Sequence, residues 1–141
     1  MRFWDSSALV PLIVREKETE VRRDIFMADR KVFVWWATPV ECAAALARRH
    51  RDGVLPEARY ERALSVLAGE SAGWRPVAPT ALVQAEAMRA VRVHPLKTGD
   101  ALQLAAAIAW AEQRPAGNTV VSLDLKLRRA ASLEGFTVLP E

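Results

Sequence analysis

Short apolar runs rich in β-branched and aromatic residues alternate along this chain with longer segments in which apolar residues recur every three or four positions. The short runs occupy residues 2–4 (RFW), 31–36 (KVFVWW), 119–123 (TVVSL) and 137–139 (TVL), and they read as strands. A fifth run, 74–78, has a strand-like composition, but Pro76 and Pro79 argue against it because proline cannot donate to a ladder. The longer segments carry helix-start signals. Thr38-Pro39 sets a capping residue before a proline, Pro56 opens a stripe through Tyr60, Leu64 and Leu67, and Thr80 precedes a run that His94-Pro95 ends. After Gly99, DALQLAAAIAWAEQ predicts an alanine-rich helix able to approach its neighbours closely. Alternation of this kind predicts an α/β fold, with a mostly parallel central sheet of four to five strands flanked by helices.

A length of 141 residues suits one domain spanning 1–141, and 51% hydrophobic with 26% charged residues is the balance of a folded chain rather than a disordered one. The opening MRFWDSSALVPLIV meets an acid before any apolar run, so no targeting peptide is expected. The most apolar later stretch, 101–111, is interrupted by Gln103 and falls short of the roughly 20 residues that cross a bilayer, so no membrane span is expected. Cys42 is alone and cannot form an internal disulfide, which points to a reducing compartment, the cytoplasm. The net charge of +3 adds weak support for an anionic partner such as nucleic acid.

Four acids carry the candidate chemistry, and each has a local explanation. Asp5 follows the first strand and can cap a helix starting near Ser6. Glu41 stands three residues after Thr38, the spacing of a capping box. Asp100 falls in the first turn of the alanine-rich helix, where the dipole favours negative charge. Asp124 follows the strand at 119–123 and can cap the helix after it.

Their arrangement is what capping leaves unexplained. In an open parallel sheet the C-terminal strand ends share one edge, and ligands bind in the crevice there. Asp5, Glu41 and Asp124 each sit just past such an end. Crowded carboxylates without His or Cys repel one another unless a hard cation neutralises them, and Mg²⁺ or Mn²⁺ prefers oxygen ligands. Phosphodiester hydrolysis is the reaction such a site suits. Topology alone does not bring Asp100 to this edge, because no clear strand precedes it.

With these segments in view, the sequence resembles PIN domains, in particular the VapC-type ribonuclease toxins of bacterial and archaeal toxin–antitoxin pairs. The likeness runs through FWDSSALVPLIVRE, TPVECAAALARR, LKTGDALQLAAA and VVSLDLKLRRAASLEGFTVLP, in that order, while 52–92 matches only in helical character. The resemblance implies a single PIN-like domain with Asp5, Glu41, Asp100 and Asp124 as catalytic and metal-binding residues. It implies Mg²⁺ or Mn²⁺, RNA hydrolysis leaving a 5′-phosphate, a cognate antitoxin that binds beside the pocket, and a homodimer. Ser7 and Ser122 match positions where a hydroxyl often lies near the metal, although local turn bonds explain them equally well.

Basic residues must guide the RNA. Arg48 lies on nearly the same helical face as Glu41, roughly 10 Å along it, and Lys97, Lys126, Arg128 and Arg129 flank the other acids. Cations at a helix C-terminus also offset its dipole, which suffices to explain Arg48. Of the five Trp residues, Trp4, Trp35, Trp36 and Trp110 are expected in the core.

Competing readings are a metal-free ribonuclease using His50 and His94, a phosphoacceptor receiver, a catalytically silent nucleic-acid- or partner-binding module of the same fold, and a stand-alone RNA-processing nuclease. A receiver wants two adjacent acids after its first strand, where this chain has DSS.

Overall fold

A computed structural model of the protein describes residues 1–14 and 19–141, so Arg15 and Glu16 of the opening motif lie outside the described residues. Strands β1 (Arg2–Trp4), β2 (Val32–Trp35), β3 (Arg75–Val77), β4 (Thr119–Val121) and β5 (Thr137–Leu139) form one sheet in the order β3-β2-β1-β4-β5. Every pairing is parallel. The chain therefore builds outward from a central β1, first to β2 and β3, then on the other side to β4 and β5. The direction changes beside β1, which makes the C-terminal ends of β1 and β4 the natural crevice.

Parallel neighbours need crossover connections, and helices supply them. These are α1 (Ser6–Val14), α2 (Thr19–Ala28), α3 (Thr38–Arg51), α4 (Glu57–Ser71), α5 (Ala81–Val93), α6 (Thr98–Trp110) and α7 (Leu125–Glu134). The period of two along each strand sorts side chains into two cores. Phe3, Trp35 and Val120 face α5, α6 and α7, while Trp4, Val34 and Val121 face α1, α3 and α4. In α6, Ala101, Ala105, Ala106 and Ala107 are all buried, and their small size lets the helix lie against the sheet and α5.

The run at 74–78 does contain a strand. Pro76 is tolerated because β3 is the sheet edge and pairs with β2 alone, so its missing N–H breaks no second ladder. Two further expectations are corrected. Thr38 is not the cap of α3: Ala37 holds that position without a side-chain bond, and Thr38 is already helical and buried. Trp36 is not core but 57% exposed, one residue past β2, whereas Trp4, Trp35 and Trp74 are buried and Trp110 partly so.

Cys42 is buried in the second core, where burial above all, with the nearby Glu41 and Asp5 charges, pushes its thiol up to about 12 and leaves it unreactive. Among the described residues no helix is long and apolar enough to cross a membrane.

Candidate active site

The site begins where β1 ends. Asp5 is 3% exposed, so its carboxylate has almost no solvent and must find its hydrogen bonds inside the protein. Ser7 donates to Asp5 Oδ2 through its hydroxyl at 2.5 Å and its backbone N–H at 3.3 Å, and the Ser122 hydroxyl donates to the same oxygen at 2.9 Å. Both hydroxyls also accept. Ser7 Oγ takes the Leu123 and Asp124 backbone N–H groups at 2.8 and 3.2 Å, and Ser122 Oγ takes that of Asp124 at 3.1 Å. The ends of β1 and β4 are thereby stitched together, and Asp5 and Asp124 face the same crevice from neighbouring strands.

Asp124 performs the capping expected of it: Oδ1 accepts the Leu127 N–H at 2.8 Å and starts α7. Its other oxygen stays available to the crevice. A cap and a ligand can be one residue.

Glu41 does not form the capping box. Its Oε2 accepts instead from the Ser6 hydroxyl at 3.1 Å and from Gln103 Nε2 at 3.2 Å, while Gln103 Nε2 also donates to Thr38 Oγ1 at 3.1 Å. The local motif is overridden because better donors arrive from α1 and α6. Ser6, Thr38 and Gln103 are the site residues that sequence reasoning missed. A polar residue interrupting the apolar face of α6, one turn after Asp100, was the available signal for Gln103.

Asp100 enters from the first turn of α6. Although it follows no strand, the turn after α5 returns the chain to the same edge, and its carboxylate feels both Asp124 and Asp5. Burial and then repulsion from Asp124 and Asp5 raise Asp100 above the usual carboxylate range, against a weaker pull from Lys97 and Lys126. Asp5 is raised by burial, with the serine hydrogen bonds opposing it and Asp124 adding repulsion. Glu41 is raised by burial, opposed by Gln103 and Ser6, with Asp5 and Asp100 again repelling. The four acids thus form one mutually repelling group at the C-terminal edge.

The basic residues divide. Lys97 and Lys126 lie close enough to draw Asp100 down, so both border the crevice. Arg48 is exposed near the end of α3, in the last turn of the helix that Glu41 opens. Arg128 is committed to structure: its guanidinium donates to the carbonyls of Ser122 and Pro140 at 2.7 and 2.6 Å. The two histidines are also locally engaged. His94 Nε2 lies 2.8 Å from Glu134 Oε1, and His50 stacks on Tyr60 with its Nε2 2.9 Å from Glu57. Among the described residues nothing joins them into an acid–base pair.

All four candidate ligands are hard oxygen donors carrying excess negative charge, a donor set that suits hard cations such as Mg²⁺ or Mn²⁺. Among the described residues, no three acidic, imidazole or thiol groups stand close enough to form a protein-only cage. Mg²⁺ is commonly held by one or two carboxylates and retained water, so the donor set fits that ion in its hydrated form.

A model of the PIN domain family matches residues 2–133. Among solved structures, the crystal structure of PAE2754 from Pyrobaculum aerophilum is similar, with a TM-score of 0.69 and 18% identity over 98% of this chain and 88% of that one. At that identity the likeness is one of fold. No curated protein matches the chain.

Proposed function

The chain belongs to the PIN domain family, whose members are generally nucleases, and from that premise we propose that it is a Mg²⁺- or Mn²⁺-dependent endoribonuclease of the VapC toxin type. One observation carries the reading. Burial, Asp5 and Asp124 all act against the ionised form of Asp100, and the exposed Lys97 and Lys126 offset them only in part, so the crevice holds negative charge that a divalent cation would satisfy.

Asp5, Asp100 and Asp124 would hold a hydrated cation, one or two of them directly and the rest through its water, with Glu41 contacting it through water or orienting the attacking water. A divalent cation at this position supplies charge neutralisation at phosphorus and lowers the pKa of a coordinated water. The protein's part is geometric. Ser7 and Ser122 fix Asp5 through Oδ2, while Oδ1 has only the long 3.5 Å contact from the Ser6 hydroxyl and would be the freer oxygen for a ligand. The α7 cap fixes Asp124 in the same way. Lys97 and Lys126, exposed beside Asp100, would draw in a phosphodiester backbone.

The same reading includes a cognate antitoxin, a homodimer and a cytoplasmic site of action. A cleft of about 240 Å³ along α1, lined by Leu9, Leu12, Phe26 and Trp74 with Arg23 and Glu70 among them, supports a docking segment on a partner that is apolar with a polar or charged group. Met88 and Val91, exposed one turn apart on α5, support self-association.

The test is cleavage of single-stranded RNA by the purified protein with Mn²⁺ or Mg²⁺, with EDTA, and by Asp5→Asn. Metal-dependent cleavage lost in the variant is expected. Cleavage that survives EDTA and disappears in His50→Ala would overturn the reading.

A further inference from the structure

Gln103 is the feature this mechanism leaves unused. It is 1% exposed in the middle of an alanine-rich helix whose other buried residues are apolar. Burying a primary amide is costly unless its hydrogen bonds are made, and here they are made on one side only. Nε2 donates to Thr38 Oγ1 and Glu41 Oε2, while Oε1 has no partner among the described residues. An unsatisfied buried acceptor lowers stability, so core packing is not what this residue serves best.

Its place in the fold indicates what it does serve. Helices α3 and α6 belong to opposite faces of the sheet and to different cores. They meet at the C-terminal edge, where Gln103 of α6 reaches Thr38 and Glu41 in the first turn of α3. Gln103 follows Asp100 by three residues, so both project from the same side of α6. One amide nitrogen thus ties the helix bearing Asp100 to the carboxylate of Glu41. Its orientation is dictated chemically, because only the NH₂ end of the amide can meet a carboxylate. Ser6 and Gln103 both bond Oε2, so the bond from Gln103 also selects Oε1 as the oxygen of Glu41 facing the crevice.

We propose that Gln103 is a positioning residue for the metal centre: it sets the separation of Glu41 and Asp100 across the two layers and presents Glu41 Oε1 to the cation. This rests on the metal-site reading above. Removing a hydrogen-bond partner that orients a ligand typically costs about 10- to 100-fold in metal affinity or activity.

The experiment is calorimetric titration of Mn²⁺ into wild type, Gln103→Met, Glu41→Gln and the double variant, with urea unfolding as a check on the fold. Methionine keeps the length and burial of the side chain and removes its donor. Expected is a Mn²⁺ Kd weaker by about tenfold or more in Gln103→Met, with no further loss when that change is added to Glu41→Gln. In cleavage assays kcat falls while KM for RNA holds, since Gln103 is buried away from any substrate. Unchanged affinity in Gln103→Met, or full additivity in the double variant, overturns the inference while the metal site stands. Wild-type protein that binds no Mn²⁺ overturns both. A measurement that needs no variant is the ¹⁵N spectrum of wild type, in which substoichiometric Mn²⁺ should broaden the Gln103 side-chain amide; an unbroadened signal counts against the proposal.

Discussion

Carboxylates are gathered in two parts of this molecule, and their surroundings treat them in opposite ways. At the junction of α5 and α7, Glu134 Oε1 lies 2.8 Å from His94 Nε2 and 2.9 Å from an Arg89 nitrogen, while Arg89 Nε reaches Glu86 at 2.9 Å. Burial pushes Glu134 up, but the hydrogen bonds and charges of His94 and Arg89 outweigh it and hold the group below its ordinary range. At the C-terminal strand edge burial acts on Asp5, Glu41 and Asp100 in the same direction, and there the neighbouring charges are mainly more carboxylates. Acids alone do not mark a functional site. The distinction lies in whether the protein supplies the counter-charge itself or leaves that to a ligand.

The largest effect that should separate the two regions is on catalysis. Asp100→Asn is expected to lower RNA cleavage on the order of a thousandfold or more, because several kcal/mol of charge stabilisation at phosphorus depends on the bound cation. Glu134→Gln should leave kcat within about twofold. Equal losses in the two variants would mean that the acidic edge has no special standing.

Next in size is the response to metal. Mn²⁺ at about a hundredfold excess over Kd should stabilise wild type by roughly 2.7 kcal/mol, or about 5–10 °C in Tm. Asp100→Asn should show little of this shift, and Glu134→Gln should show all of it. Differential scanning calorimetry with and without Mn²⁺ reads the outcome.

These contrasts also mark what could be read from the sequence. The strands at β1, β2, β4 and β5 and the acids just beyond β1, β2 and β4 were legible, because apolar runs and the topology of parallel sheets are local signals. Strand β3 was obscured by Pro76, whose tolerance depends on lying at an edge, and edge position is a property of the whole sheet. Asp100 was placed by family resemblance, since nothing local says that the turn after α5 returns to the strand ends. Glu41 shows the opposite failure. Its sequence fits a capping box, but tertiary donors from Ser6 and Gln103 displaced the local partner. Trp36, expected inside by its neighbours' character, is exposed because β2 stops one residue earlier.

A smaller effect concerns stability without metal. Glu134→Gln removes the shared acceptor of His94 and Arg89 and should cost about 1–2 kcal/mol in urea unfolding, between the limits for exposed and buried pairs because Arg89 is 38% exposed. Asp100→Asn removes repulsion and should leave metal-free stability unchanged or slightly higher. A destabilised Asp100→Asn would show that the edge acids serve the fold.

The smallest effect, and the most diagnostic, is the slope of stability against pH in EDTA. Glu134 titrates lower in the folded than in the unfolded protein, so its contribution is present above its unfolded pKa and is lost as pH falls through the folded value. Asp5, Glu41 and Asp100 titrate higher when folded, so the folded state holds their protons more tightly. Stability from that group is therefore greatest below the unfolded pKa values and declines as pH rises through the folded ones. Relative to wild type, Asp100→Asn should flatten the decline on the side of rising pH, whereas Glu134→Gln should flatten the loss on the acid side. Added Mn²⁺ should oppose only the first of these trends, because the cation binds the ionised acids and competes with their protons. Urea midpoints across the acid range, with and without Mn²⁺, would read both slopes, and slopes of the same sign would refute the contrast between the two clusters.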